Sequence, residues 1–204
     1  MSDILNFVPS KKNLTFGNYY WNFEEGLSSE DCDAILNSVN RDYEPAAVFD
    51  ANDGSFIENK RWRKTGMFSD NQQFIYDLVW PYMLAANENA EWNFDLESAE
   101  NYQILKYEVG DFYDWHMDGC GTGASVARDK ARPHIDGKAR KLSMSLILND
   151  DYEGGDLILY DGGTMKQKKG SMVFFPSYLH HKVSPVTKGT RYSLVMWFLG
   201  PPLR

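Results

Sequence analysis

The stretch DFYDWHMDG, residues 111–119, places a histidine and an aspartate two positions apart among aromatic residues. Successive side chains of a β-strand point to opposite faces, so a strand here would project His116 and Asp118 from one face and Trp115 from the other. Burying two such polar groups without partners is costly, so they need hydrogen bonds or a bound cation. An imidazole and a carboxylate at this spacing can hold a metal ion, but the pair alone is a weak signal.

A second block with polar residues in a strand-like context is FFPSYLHHKVSPVTKGTRYSLVMWF, residues 174–198. Only one of its two adjacent histidines can face the interior of a strand; His181 is the predicted metal ligand and His180 the alternative. Two histidines and one carboxylate on one side of an ion leave positions open opposite, as in non-haem Fe(II) sites that activate O₂. Arg191 always carries its charge, so inside a barrel it needs an anionic partner such as a carboxylate.

The remaining sequence favours short β-strands that follow two helices. Short runs rich in β-branched and aromatic residues are separated by turn residues, which predicts an antiparallel sandwich or barrel. These runs are NYQILKYEVG, DFYDWHMDG, KLSMSLILND, GDLILYDGG, GSMVFFPS, HHKVSPV and TRYSLVMWF. Upstream, one helix is predicted to begin near Ser28 and Ser29. Another is predicted to follow Asp70, with a kink at Pro81.

Composition and charge narrow the functional class. The 204 residues suit one domain with a sizeable core, and their net charge of -8 disfavours nucleic-acid binding, which usually needs a basic surface. Cys32 and Cys120 form no CxxC pair, which is typical of thiols in a reducing, cytoplasmic compartment. The N-terminal stretch lacks a long apolar run, so neither a signal peptide nor a membrane span is expected.

Four blocks, in this order, resemble the Fe(II)/2-oxoglutarate-dependent oxygenases, in particular the prolyl 4-hydroxylase type. They are YEVGDFYDWHMD, RKLSMSLILNDDYEGGDL, KGSMVFFPS and HHKVSPVTKGTRYSLVMWF. The resemblance implies a mainly β fold, a double-stranded β-helix (a cupin-like jelly roll) with supporting N-terminal helices. It also implies a single domain over residues 1–204, in which 1–99 supply N-terminal strands and helices and 100–200 form the oxygenase core.

The resemblance assigns roles to the positions that match the family pattern. The implied iron ligands, which are also the implied catalytic residues, are His116, Asp118 and His181. Arg191 is the implied clamp for the distal carboxylate of 2-oxoglutarate, with Tyr107 and Ser193 in the same cosubstrate pocket. The positions that match a pocket for the target residue are Tyr113, Arg140 and Trp197.

One departure from the family pattern concerns the distal carboxylate. Some relatives carry a tyrosine directly before the pair LN at 148–149, and this sequence has Ile147 there. We expect Ser145 or Ser193 to replace that tyrosine, or the partner to be absent. The departure affects the detailed geometry of the cosubstrate and not the class of reaction.

The implied activity is hydroxylation of a C–H bond, favouring a prolyl residue in a peptide or protein, with succinate and CO₂ released. Fe(II), 2-oxoglutarate and O₂ would take part, with ascorbate as a candidate reductant and no membrane partner. One alternative is a hydroxylase of a free amino acid or another small molecule; the other is a catalytically silent jelly-roll binding module. The Gly-rich and turn-rich segments 50–61 and 119–140 are expected to act as lids over a substrate.

Overall fold

The computed structural model describes residues 18–39, 42–49, 56–121 and 126–203 of the chain. Within these ranges the fold is mainly antiparallel β-structure with two helices, as the sequence predicts. The turn sequence ANDGS and parts of both expected lids, residues 50–55 and 122–125, lie outside the described residues.

The elements follow one another in the order expected, with the helices in the first half of the chain. The helices are α1 (Ser29–Asn37) and α2 (Gln73–Asn89). The strands are β1 (Trp21–Phe23), β2 (Glu44–Pro45), β3 (Val48–Phe49), β4 (Phe56–Ile57), β5 (Arg63–Lys64), β6 (Gly66–Asp70), β7 (Ser98–Ala99), β8 (Tyr102–Tyr107), β9 (Phe112–His116), β10 (Ala139–Ile147), β11 (Tyr152–Gly154), β12 (Leu157–Leu159), β13 (Gly163–Met165), β14 (Met172–Pro176), β15 (His181–Val183), β16 (Val186–Gly189) and β17 (Arg191–Gly200).

Antiparallel pairing joins these strands into a major and a minor sheet. The major sheet has the order β1-β14-β10-β17-β8-β6-β2, with β7 also paired to β17. The minor sheet has the order β13-β12-β15-β9-β5, and β11–β16 and β3–β4 form two further pairs. Apart from the hairpin of β12 and β13, most neighbours in the two sheets are distant in sequence, so the chain crosses repeatedly between the sheets. This topology is that of a jelly roll and confirms the expected fold class.

The central strands of the major sheet are buried on both faces because their alternating side chains meet different layers. In β17, Leu194, Met196 and Phe198 pack into the core that includes the two helices. Residues of the opposite set, among them Arg191 and Ser193, line a cavity on the side of the minor sheet. The major sheet therefore separates the hydrophobic core that contains the helices from the cavity on the side of the minor sheet.

The two helices cover the outer face of the major sheet. Helix α1 begins after Ser28, whose hydroxyl accepts a hydrogen bond from the backbone N–H of Asp31, so the predicted start is confirmed. Helix α2 continues through the exposed Pro81 as one element. Its buried stripe consists of Ile75, Val79, Met83 and Ala86. No helix in the described ranges has both the length and the apolar character needed to cross a bilayer.

Backbone hydrogen bonds join the two ends of residues 126–138, which belong to the long Gly-rich segment 119–140. The N–H of Ala127 donates to the carbonyl of Lys138 over 2.8 Å, and the N–H of Gly137 donates to the carbonyl of Ala127 over 2.9 Å. Ile135 is buried beneath it. This segment leads directly into β10 and so into Arg140.

Candidate active site

The three predicted metal ligands converge at one end of the minor sheet. His116 ends β9, His181 begins β15, and the two residues are directly paired in the antiparallel register. The Nε2 atoms of His116 and His181 lie 3.7 Å and 3.5 Å from the Oδ1 and Oδ2 atoms of Asp118. One potential ligand atom from each residue lies within 4.8 Å of the others, so a single ion can be reached by all three.

Asp118 lies outside the strand that carries His116. The expectation that the two side chains project together from one face of a strand is therefore wrong, although both reach the cluster. Strand β9 ends at His116, and the backbone N–H groups of Asp118 and Gly119 donate to the carbonyl of Ser177 over 3.0 and 3.1 Å. The direction of the Asp118 carboxylate is therefore set by the turn after β9 and by these two hydrogen bonds, and not by the alternation of side chains along a strand.

An irregularity in β9 brings Tyr113 to the same side as His116. His181 pairs with His116 and Val183 pairs with Tyr113, so β9 carries one more residue than β15 between the two pairs. Such a β-bulge re-aims side chains next to active sites. The rings of Tyr113 and His116 stack with their centroids 3.5 Å apart, although residues three apart in a regular strand face opposite ways.

Backbone carbonyls orient both imidazole rings. The Nδ1 atoms of His116 and His181 lie 2.7 Å from the carbonyl of Asp114 and 2.9 Å from that of Leu179. A proton on each Nδ1 satisfies these contacts and leaves the Nε2 lone pairs free for a metal, as in many metalloproteins. Burial, together with His181, lowers the pKa of His116 to about 3, so this ring is neutral at neutral pH.

The carboxylate of Asp118 is held as an anion by its neighbours. Ser143 donates from its hydroxyl to Oδ2 of Asp118 over 2.7 Å and lies 2.9 Å from the hydroxyl of Ser177. Burial alone would raise the pKa of Asp118, but the two facing histidines and Arg140 together lower it to about 2. The donor set is thus two imidazoles and one carboxylate, which suits Fe(II).

Arg191 lies fully buried in the cavity without an ionic partner among the described residues. It is 1% exposed, its Nη1 donates to the hydroxyl of Ser193 over 2.8 Å, and no described residue accepts a hydrogen bond from its Nε. Its guanidinium carbon lies 5.3 Å from the centre of the Tyr107 ring, on the paired strand β8. A buried charge of this kind is costly unless a ligand pairs with it, so the site fits an anionic cosubstrate.

Gly155 allows Arg191 to occupy its position. Gly155 has a φ of +64°, and a Cβ atom built on it would lie 2.7 Å from Cδ of Arg191 and 2.9 Å from Cγ2 of Val186. The sequence GG at 154–155 therefore belongs to a turn that packs against the arginine, and its absent side chain leaves room for the stem of Arg191.

Ile147, which stands where some relatives have a tyrosine, is buried. Of the two serines expected to replace that tyrosine, Ser193 contacts Arg191. Ser145 also lines the cavity, two residues before Ile147 on β10. Which hydroxyl contacts a bound carboxylate remains a prediction.

Arg140 and Trp197 form a wall of the same cavity together with Tyr113. The guanidinium of Arg140 lies 4.0 Å from the centre of the Trp197 ring and makes two hydrogen bonds of 2.6 Å to Glu100. A third hydrogen bond, of 3.2 Å, reaches the backbone carbonyl of Asp118. Arg140 therefore links the wall of the cavity to the metal ligand.

Two histidines stay away from the cluster. His180 is exposed, as expected for the neighbour of an inward-facing residue, and His134 is exposed in the segment before β10.

Sequence reasoning missed Ser143, Glu100 and the two carbonyls that orient the imidazoles. Ser143 shares the alternating pattern of Ser145 on β10, which would have been a usable signal; Glu100 is 40 residues from Arg140, and the sequence offers no signal that pairs them.

The three candidate ligands and Arg191 line one cavity of about 480 Å³ between the sheets. The family model for the 2OG-Fe(II) oxygenase superfamily matches residues 102–199, a range that contains all three candidate ligands and Arg191. This stretch of the chain is a 2OG-Fe(II) oxygenase domain. Members of this superfamily need Fe(II), 2-oxoglutarate and O₂, for which the donor set and the unpaired arginine of this oxygenase are suited.

Among curated proteins, the oxygenase is similar to the PKHD-type hydroxylase PiuC of Pseudomonas aeruginosa. The two are 33% identical over 96 residues, which cover 45% of this chain and 39% of that protein. The oxygenase thus matches about two fifths of the length of this relative.

Among solved structures, the fold is similar to that of two prolyl hydroxylases. The viral collagen prolyl hydroxylase of Paramecium Bursaria Chlorella virus-1, in its 2-oxoglutarate complex, has a TM-score of 0.64 at 20% identity, covering 90% of this chain and 97% of that one. A prolyl-4-hydroxylase of Pseudomonas putida has a TM-score of 0.63 at 20% identity, covering 92% and 95%. At this level of identity the similarity establishes the fold.

The contact between Ser143 and Asp118 predicts an effect on metal affinity. Replacing Ser143 by alanine removes the hydroxyl that fixes the carboxylate, and loss of such outer contacts typically weakens metal binding by about 10- to 100-fold. Titration with Co(II), followed by visible absorption, measures this, with Ser145→Ala on the same strand as the control. Equal affinities for the two variants would contradict the proposed support of Asp118.

The packing of Gly155 against Arg191 predicts a selective effect on 2-oxoglutarate binding. Gly155→Ala and Gly163→Ala both place a side chain at positive φ, a cost of about 1–2 kcal/mol, but nothing lies within 4 Å of the added Cβ at Gly163. Both variants should lose stability, and only Gly155→Ala should bind 2-oxoglutarate more weakly in calorimetry with Mn(II)-loaded protein. Unchanged binding in Gly155→Ala would show that this contact does not position Arg191.

Proposed function

We propose that the protein is an Fe(II)- and 2-oxoglutarate-dependent dioxygenase that hydroxylates a C–H bond of a prolyl residue in a peptide or protein. One observation carries the reaction class: two imidazoles and a carboxylate converge in a cavity that also holds Arg191, a buried arginine without an ionic partner among the described residues. The first group suits Fe(II), and the second suits a dicarboxylic keto acid.

In this proposal His116, Asp118 and His181 hold Fe(II), and Arg191 pairs with the distal carboxylate of 2-oxoglutarate. Bound there, Fe(II) and 2-oxoglutarate supply the oxidation in which one atom of O₂ enters the C–H bond and the other enters succinate as CO₂ leaves. The residues of the chain contribute binding and orientation. Asp114 and Leu179 fix the imidazole tautomers through their carbonyls.

Burial is the other contribution of the protein. The ligands lie in the cavity between the sheets, with side chains only 6–12% exposed. Exclusion of water from the reacting centre protects reactive intermediates from side reactions. The stacked ring of Tyr113 covers one face of His116 and contributes to this exclusion.

A prolyl residue in a chain is the favoured substrate for two reasons. The structural neighbours are named as prolyl hydroxylases, one of them a collagen prolyl hydroxylase. In addition, the aromatic wall of Tyr113 and Trp197 suits an apolar ring, and the exposed Met117 lines the same cavity, where it can contact a longer chain.

The proposed ligand set predicts which histidines matter for turnover. His116→Ala and His181→Ala should each reduce Fe(II)-dependent conversion of 2-oxoglutarate to the level of a metal-free sample, because each removes one of three protein ligands. His180→Ala, the adjacent exposed control, should retain turnover. The measurement is succinate formation under air. Loss in His180→Ala with retention in His181→Ala would reverse the assignment, and no turnover in the wild type would favour a binding module.

The substrate proposal is tested with a peptide library. The protein is loaded anaerobically with Fe(II), 2-oxoglutarate, ascorbate and peptides, then exposed to oxygen, and mass spectrometry detects products heavier by one oxygen atom. Proline-containing peptides should gain oxygen, and matched peptides with alanine in place of proline should not. Oxidation of free amino acids but not of the peptides would favour the small-molecule alternative.

A further inference from the structure

Three arginines line the cavity, and their surroundings differ. Arg140 is neutralised by two hydrogen bonds to Glu100. Arg191 is paired in the proposed function with the distal carboxylate of 2-oxoglutarate. Arg63 is the third, and the proposed reaction as described so far gives it no role.

Arg63 is buried next to the metal ligands. It lies on β5, paired with Tyr113 on β9, and is 8% exposed. Its guanidinium carbon lies 4.6 Å from the centre of the Tyr113 ring, and that ring stacks on the ring of His116. One aromatic ring therefore separates the positive charge of Arg63 from an iron ligand.

The hydrogen-bonding capacity of Arg63 is largely unused. Its Nη1 makes one long hydrogen bond, of 3.4 Å, to the carbonyl of Ala47, and no residue in the described ranges accepts from its buried Nε. Among the described residues it forms no ion pair, whereas its neighbour Lys64 pairs with Asp111 at 2.6 Å. A buried guanidinium with open donors is costly on its own, so its presence here points to an anionic ligand.

The net charge of the cavity with Fe(II) and 2-oxoglutarate bound also points to an anionic ligand for Arg63. The two positive charges of Fe(II) cancel the two negative charges of 2-oxoglutarate, since the charges of bound groups must be counted with those of the protein. In net charge, Asp118 offsets Arg191 and Glu100 offsets Arg140. Among the described residues that line the cavity, Arg63 then remains as an uncompensated cation.

We propose that Arg63 binds a carboxylate of the molecule that is hydroxylated, so that this substrate is acidic close to its reacting carbon. The inference rests on the proposed function and specifies its substrate class. The carboxylate can belong to an acidic side chain next to the proline or to the C-terminus of the substrate. A planar guanidinium fits either source through two parallel hydrogen bonds.

A pair of small probes tests the binding site independently of turnover. Protein loaded with Mn(II) and saturating 2-oxoglutarate is titrated with 4-fluorobenzoate or its neutral analogue 4-fluorobenzamide, and binding is followed by fluorine NMR. The wild type should bind the benzoate at least about tenfold more tightly than the benzamide, since the hydrogen bonds to a carboxylate are charge-assisted. Arg63→Gln should abolish the preference, and Arg63→Lys should retain part of it.

The control variant is Arg61→Gln, which removes the same charge from an exposed neighbour in the sequence. It should keep the preference for the benzoate. Binding of the benzoate that persists in Arg63→Gln would overturn the proposal, because the probe would then be held by the metal or by Arg191. A loss of 2-oxoglutarate affinity in Arg63→Gln would also overturn it, since Arg63 would then serve the cosubstrate.

Folding of the variants does not limit the test. If Arg63→Gln fails to fold, the comparison of benzoate with benzamide on wild type and Arg63→Lys decides, and equal binding of the two probes overturns the proposal. Absence of succinate formation in the wild type would reject the proposed function but leave the probe result readable, so the two failures are distinguishable.

Two peptide pairs identify the source of the carboxylate. The first pair carries glutamate or glutamine beside the same proline, and the second ends directly after proline as a free acid or an amide. A preference of wild type, but not of Arg63→Gln, for the acidic member of either pair supports the proposal and names the source. No preference in either pair would overturn the assignment for peptide substrates.

Discussion

The antiparallel register that sets His116 opposite His181 is the constraint on which the site depends. Strands β9 and β15 are far apart in the sequence, and hydrogen bonding between their backbones fixes the distance between the two imidazoles. The bulge in β9 then turns Tyr113 onto the face of His116. A slip of one residue in this pairing would move each histidine to the opposite face of the sheet and dissolve the cluster.

Buried charge is distributed unevenly in the cavity, and this distribution indicates what the cavity binds. Arg140 donates two hydrogen bonds to Glu100 and Asp118 accepts one from Ser143, so protein partners orient both side chains. Arg191 and Arg63 retain open donors in a buried setting. Protein interiors rarely tolerate unpaired cations, which is why we propose an anionic ligand from solution for each of the two.

The strands and the first helix could be predicted because their signals are local. Alternating apolar and polar residues identify strands such as β8 and β17, and Ser28 before an acidic first turn identifies the start of α1. The spacing from His116 to Asp118 also predicted that their side chains lie close together, but it did so by assuming that both residues belong to one strand. Asp118 follows the end of the strand, and the hydrogen bonds to the carbonyl of Ser177 direct its carboxylate.

The sequence by itself determined the fold class, the superfamily pattern and the identity of the residues that converge, because periodicity and motif order are written in neighbouring residues. Only the tertiary structure decided how those residues are supported. The pairing of Glu100 with Arg140, the contact of Ser143 with Asp118 and the stacking of Arg63 on Tyr113 all join segments that lie far apart in the chain. Such contacts depend on strand register and burial, which no local pattern specifies.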